Sequence, residues 1–315
     1  NSKECFILNF ARRDIESVVI PSNVKKIASC AFYGCAKLTT VSFSPSSTVF
    51  DEIGENAFSQ CLMLENVVSI PPTIKTIRRL AFESCKNLKI IEFTQNCELQ
   101  TIEHDAFKES SISKLFLSKS VENIEEGWCN GMGMLVDLEI DQENKNYDYL
   151  DNKYLINKKS VLLFARRDID LAVLPPNIKR IGKSAFSGCK KLKTLDFSQN
   201  EEFGLQEIGE SAFSNCSELE LNLVFPSSIK RIEESAFSSC NKLESISFSL
   251  SCILEEIGDY SFYYCSRIKQ IDSIPSTTKR IGKNAFRCLR ALKNVTFSKS
   301  SQSSKSSKPS KSSKS

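Results

Sequence analysis

Residues 27–43 read IASCAFYGCAKLTTVSF, and the same pattern returns in full three more times along the chain. Its fixed positions are Ile27, Ala31, Phe32, Cys35, Leu38, Val41 and Phe43, or I-x3-A-F-x2-C-x2-L-x2-[IVL]-x-F. Residues 77–93, 181–197 and 232–248 fill every position, and 281–297 does so with Leu289 in the cysteine slot. Working outward, Ala-Phe or Ser-Phe pairs end at Phe32, Phe58, Phe82 and Phe107, then at Phe186, Phe213, Phe237, Phe262 and Phe286. The steps are 26, 24 and 25 residues, then 27, 24, 25 and 24. A fixed period of this length is the mark of a solenoid, in which each unit buries its apolar positions against its neighbours.

The segment L-x2-[IVL]-x-F ends in alternation, which predicts a short strand with every second residue inward. The segment A-F-x2-C-x2-L has three-residue spacing, which predicts a 3₁₀ or single α turn. A second extended piece, such as 24–27 or 178–181, follows a proline corner at Pro21, Pro71-Pro72, Pro175-Pro176, Pro226 or Pro275, where a fixed φ and a missing N–H are tolerated. A longer repeat lies over the shorter one: Phe10-Ala11-Arg12-Arg13-Asp14-Ile15 returns as Phe164-Ala165-Arg166-Arg167-Asp168-Ile169. The expected organisation is a first block over 1–128, a degenerate coil and β-hairpin junction over 129–165, a second block over 166–298, and a disordered Ser/Lys tail over 299–315. The N-terminal segment 7–11 matches only the last of the junction's strands, so the first block is expected to begin inside a unit.

The template resembles the leucine-rich repeats of the BspA-like surface-protein family, over roughly 15–297. The resemblance implies a leucine-rich-repeat solenoid, mainly β with short 3₁₀/α turns, of about eleven coils. It also implies a cell-surface or extracellular adhesin-like antigen that contacts host matrix or host cells. The family is defined by its repeat, so it carries over no catalytic residue.

Seven cysteines share one slot: Cys35, Cys61, Cys85, Cys189, Cys216, Cys240 and Cys265. A metal or redox site needs paired or converging ligands, whereas stacked coils set these thiols in a row with parallel side-chain vectors, which suits packing better than disulfides. They are expected to form a buried structural ladder. The remaining template positions flank the inward strand residues and are expected to line one exposed sheet face. Thr40, Ser42, Ile90, Glu92, Thr194, Asp196, Ser245, Ser247, Asn294 and Thr296 are the candidate binding row there; the bland alternative is a solvated strand face. Trp128, the single Trp, is expected to fill the core in place of an Ala-Phe phenylalanine, or else to anchor a partner. Asn215-Cys216-Ser217 and Asn294-Val295-Thr296 match the glycosylation sequon, at a frequency that so Ser-rich a chain supplies by chance.

Composition narrows the function. The 315 residues carry 42 Lys+Arg and 38 Asp+Glu. Five of the lysines lie in the last 17 residues, and without them the balance is −1. A near-neutral body does not favour nucleic acid as a partner. One histidine, His104, gives no pair for metal binding or a catalytic triad, so neither cofactor nor enzyme activity is expected. No apolar run approaches the ~18 residues of a membrane span. The expected partner is a protein, which the family resemblance places in the host matrix or on the cell surface. Thirteen cysteines also suit a reducing compartment, so a cytoplasmic scaffold that binds a protein partner is the alternative.

Overall fold

The computed structural model describes residues 5–94, 96–197 and 204–298, and the tail expected over 299–315 lies outside them. The chain winds as a β-solenoid of about twelve coils. Each coil contributes a longer strand to one side and a short strand to the other. On the longer-strand side, Thr40–Phe43 pairs in parallel with Ser17–Ile20 and Asn66–Ile70, in the register Thr40 to Ser17 and to Asn66. On the short-strand side, Phe6–Leu8 begins a row that continues through Val24–Ile27, Glu52–Ile53, Thr76–Ile77, Thr101–Ile102 and Asn123–Ile124. The proline corners join the two sides, and the amides of Val24, Ile74 and Ile229 donate back to the carbonyls of Pro21, Pro71 and Pro226.

Between the sides run the Ala-Phe turns, and among the described residues they contain no helix. The three-residue spacing is real: the amides of Ala31, Cys35 and Leu38 donate to the carbonyls of Ala28, Phe32 and Cys35. Yet Cys30 has φ 59° and Gly34 φ 66°, in the left-handed region that breaks any right-handed helix. The same two slots repeat, with Asn56 and Gln60, Leu80 and Ser84, Ser235 and Ser239, and Tyr260 and Tyr264 all at positive φ. Each costs a non-glycine residue ~1–2 kcal/mol. The compensation is a ladder: the amides of Cys30, Phe32 and Gly34 turn along the solenoid axis to the carbonyls of Glu55, Ala57 and Ser59, at 2.8–2.9 Å. A 3₁₀ or α turn would keep those donors within one coil; the alternating turn hands them to the next.

The inward positions fill the core. Phe32, Phe58, Phe82 and Phe107 stack at centroid distances of 4.8, 5.3 and 5.6 Å. Phe186, Phe213, Phe237 and Phe262 repeat the column at 4.6, 4.9 and 5.3 Å. Trp128 bridges the columns, fully buried, 6.2 Å from Phe107 and 6.0 Å from Phe164. Coils also approach closely at Gly258, where a Cβ would fall 2.5 Å from the Glu233 carbonyl carbon.

At the junction the repeat changes form. Tyr147–Leu150, Tyr154–Asn157 and Val161–Ala165 make an antiparallel meander, and the last of these pairs in parallel with Arg180–Ile181 to start the second short-strand row. Here Arg167 is buried, with no carboxylate partner among the described residues. Its Nε donates to the Met132 carbonyl at 2.8 Å, Nη1 to the Ala165 and Ala185 carbonyls, and Nη2 to the Cys129 carbonyl and Sγ at 3.3 and 3.2 Å. The guanidinium lies over the Phe164 ring, 4.8 Å from its centroid. One side chain thus takes the carbonyls that a complete Ala-Phe turn would otherwise have to satisfy.

Candidate surface site on the longer strands

The candidate row stands on the outward positions of the longer strands. Val41 and Phe43 point inward and are buried, while Thr40 and Ser42 between them are half-buried. Ile90 and Glu92 are exposed on Ile90–Phe93, and Asn294 and Thr296 on Asn294–Phe297. Thr194 and Asp196 on Thr194–Asp196, and Ser245 and Ser247 on Leu243–Phe248, are half-buried. These residues do not share one sheet. Four separate sheets make up the longer-strand side among the described residues: four strands, two, two and four. Thr40 to Glu92 lie on the first, Thr194 and Asp196 on the third, and Ser245 to Thr296 on the last. The second, Lys114–Leu117 with Asp137–Ile140, holds none of them.

The face is also more apolar than a polar row. Val19, Phe116, Leu171 and Val224 hold the same outward positions and are exposed, at 62, 42, 43 and 56%. The template marks them as residues that flank an inward position, yet Ile90 is the one apolar member of the candidate row. The apolar residues sit among charges. Lys114, two residues from Phe116, reaches Glu139 at 2.7 Å and Asp137 at 3.2 Å, and hydrogen bonds to Glu139 and then Asp137 hold its pKa above the ordinary lysine value. Asn222 bonds Ser245, and Thr296 Oγ1 donates to Asp272. Where the third sheet stops before Leu221–Phe225, a groove of about 660 Å³ opens, with Leu171, Val173, Leu195, Phe197, Val224 and Phe225 among its walls. Such an arrangement offers apolar contact framed by hydrogen-bonding groups.

The cysteine slot is a second, interior row. All seven thiols are buried and none is in a disulfide. Cys61, Cys85 and Cys265 donate from Sγ to the carbonyls of Phe32, Phe58 and Phe237 at 3.0–3.1 Å, each in the preceding coil. Burial pushes the Cys61 thiol up to about 12 and the Cys129 thiol to about 11. Such thiols stay protonated and serve as weak donors in the packing. His104 lies on a connecting turn with Nδ1 2.8 Å from Glu125 Oε2, and its amide donates to the same oxygen. No group of three His, Cys, Asp or Glu among the described residues is arranged to hold a metal ion, and no helix there is long and apolar enough to cross a membrane. Asn215 and Asn294 of the two sequons are exposed.

Comparison with known proteins agrees with this geometry. The profile of the BspA type leucine-rich repeat region matches residues 8–132, 162–272 and 206–312, with six copies. Among solved structures, the pneumococcal vaccine antigen PcpA superposes with a TM-score of 0.75 at 24% identity, over 89% of this chain and 67% of that one. A leucine-rich cell surface protein from Faecalibacterium prausnitzii superposes with a TM-score of 0.71, also at 24% identity, over 90% and 79%. At that identity the likeness is one of fold. A search of curated proteins gives no significant match.

Proposed function

The chain belongs to the BspA-type leucine-rich repeat family, and on that premise we propose that it is a non-enzymatic protein-binding solenoid displayed at the cell surface or outside the cell. Its partner is a protein of host matrix or host cells, held in the manner of an adhesin. The observation that carries this reading is the set of exposed apolar side chains, Val19, Phe116, Leu171 and Val224, on strands whose inward residues already fill the core. They leave about half of their apolar surface uncovered, and apolar residues framed by polar groups are what a protein-binding surface needs. The candidate row Thr40 to Thr296 supplies the hydrogen-bonding frame. Binding is multivalent, since repeated coils add modest contacts along one side.

A panel of immobilised matrix proteins and host cells tests the reading. Binding is expected to fall in steps as Phe116→Asp, Leu171→Asp and Val224→Asp are combined, with folding checked by circular dichroism. Full binding by the triple variant would overturn it. The absence of disulfides among thirteen cysteines favours a second reading, a cytoplasmic scaffold that uses the same side for a protein partner. Antibody labelling of intact source cells supports the surface reading, and labelling only after permeabilisation supports the scaffold.

A further inference from the structure

Charge is not spread evenly along this chain. Residues 279–315 hold eleven Lys and Arg and no Asp or Glu, so residues 1–278 carry 31 cations against all 38 acids. The near-neutral body is therefore an acidic solenoid joined to one cationic coil. That coil, over 279–298, contains Lys279, Arg280, Lys283, Arg287, Arg290 and Lys293, all of them exposed.

The first two are answered by the preceding coil: Lys279 reaches Glu255 at 2.9 Å, and Arg280 reaches Asp259 at 2.6 Å and also Glu256. The other four have no ion-pair partner among the described residues. Their surroundings explain why. The backbone places Lys283 beside Tyr260, Arg287 beside Tyr264 and Lys293 beside Lys269, through the bonds Tyr260 amide to Lys283 carbonyl, Tyr264 amide to Arg287 carbonyl and Lys293 amide to Lys269 carbonyl. The whole neighbouring stretch, 260–271, contains no acid and adds Arg267 and Lys269. The four cations follow one edge of the coil. Lys283 leaves the short strand Arg280–Ile281, Arg287 and Arg290 stand on the turn, and Lys293 enters the longer strand Asn294–Phe297.

We propose that the edge carrying Lys283, Arg287, Arg290 and Lys293 binds a linear sulfated polysaccharide. Unanswered cations in a row repel one another, and a linear polyanion relieves that repulsion while releasing its own counterions. The tail over 299–315 is not the occupant, because its five lysines carry the same sign. Nucleic acid also calls for aromatic platforms along the charge, and within 279–298 Phe297 is the one exposed aromatic side chain. The choice of a matrix polysaccharide rests on the surface reading of the function. It adds to that reading a second ligand, held by charge on an edge that Phe116, Leu171 and Val224 do not share.

Calorimetric titration of the full chain with a size-defined heparin fragment tests this. Saturable binding is expected, weaker by at least about tenfold at 200 mM than at 50 mM salt. Combining Lys283→Gln, Arg287→Gln, Arg290→Gln and Lys293→Gln is expected to weaken it by at least about tenfold at fixed salt, with the fold checked by circular dichroism. Replacing the five tail lysines with glutamine is expected to cost less, because a segment without a packed core pays entropy to order on a ligand. No saturable binding, a coil variant that binds like the parent, or a larger loss from the tail variant overturns the proposal. So does equal affinity for a single-stranded oligonucleotide of the same charge, which makes nucleic acid the ligand, or a dimer of the parent that the coil variant dissolves. The variant combining Phe116→Asp, Leu171→Asp and Val224→Asp is expected to bind the fragment as the parent does, and loss of binding there also overturns it. Failure of the matrix-protein panel with the fragment still bound supports this edge and counts against the protein-binding reading alone.

Discussion

Replacing Arg167 with methionine keeps most of the side-chain volume and removes every hydrogen bond that the guanidinium makes. The Met132 carbonyl has no other donor among the described residues and is left bare, at ~1–3 kcal/mol for a buried unsatisfied group. The carbonyls of Cys129, Ala165 and Ala185 each lose one donor; the penalty is less at Cys129, which keeps the Met132 amide, and at Ala185, which keeps the Ala165 amide. Contact with the Phe164 face contributes up to ~2 kcal/mol where water is excluded. Against these losses, methionine avoids the cost of desolvating a charge. The expected net loss is about 2–4 kcal/mol, and it falls where the two blocks meet. Urea unfolding followed by Trp128 fluorescence reads the event at its source, since the indole lies 6.0 Å from Phe164. The variant should show a lower midpoint and a second transition as the blocks lose their coupling. Arg13→Met, on an exposed face, should change stability by less than ~0.5 kcal/mol. Equal effects at the two positions, or a loss below ~0.5 kcal/mol for Arg167→Met, would refute the account of the junction.

Other expectations follow from the same packing. At pH 8, a thiol reagent should label Cys5, Cys30 and Cys288 rapidly in the folded protein and the ten buried cysteines only after unfolding, because burial holds Cys97 and Cys252 at about 11 and Cys61 at about 12; labelling of Cys61 without unfolding would contradict the ladder. Phe237→Ala, with stacked neighbours on both sides at 4.9 and 5.3 Å, should cost about 3–5 kcal/mol, while Phe286→Ala, stacked on Phe262 alone, should cost clearly less in the same denaturation assay. Ser261 stands in an alanine slot with its hydroxyl buried and without a partner among the described residues, so Ser261→Ala should raise stability by about 1–2 kcal/mol. Burial acts to raise the Glu125 pKa, but hydrogen bonds from the amide and ring of His104 outweigh it and leave the carboxyl below its ordinary value. Its stabilisation is therefore present above the unfolded pKa and lost as pH falls through the lower folded one. The stability difference between the parent and Glu125→Gln should shrink on acidification through pH 4, and a difference independent of pH would count against that bond.

How much of this was legible in the sequence depends on which contacts repeat. Positions that face the same neighbour in every coil leave a period, so Phe32, Leu38, Val41 and their counterparts identify the solenoid and its inward side directly. The turns were legible in spacing but not in hand. A bond from Cys35 to Phe32 looks the same in a 3₁₀ turn and in one with Gly34 at positive φ, and residues as different as Leu80, Ser84 and Tyr264 occupy the left-handed slots. The outward side was legible only in part, because nothing inside the chain constrains it to repeat: Val19 aligns with Ser42, and Val224 with Ser247. Arg167 was visible as half of a duplicated Arg-Arg-Asp string. Its role was not, since the role depends on a turn that is missing beside it.

The turn ladder has a direction. Amides of each coil point toward the next, from Phe32 to Ala57, from Phe58 to Ala81, from Phe82 to Ala106, so its peptide dipoles add along the solenoid instead of alternating. The column carries its negative pole where it starts, and both starts are met by a guanidinium: Arg13 on the Ala31 carbonyl and Arg167 on the Ala185 carbonyl. This is the electrostatics of a cation at a helix C-terminus, reached with no helix among the described residues. The positive pole falls at the amides of Asn284, Phe286 and Cys288, which donate to no acceptor among the described residues. Adding whole coils would carry that pole outward without enlarging it, so a solenoid of this kind can lengthen at constant electrostatic cost at its ends.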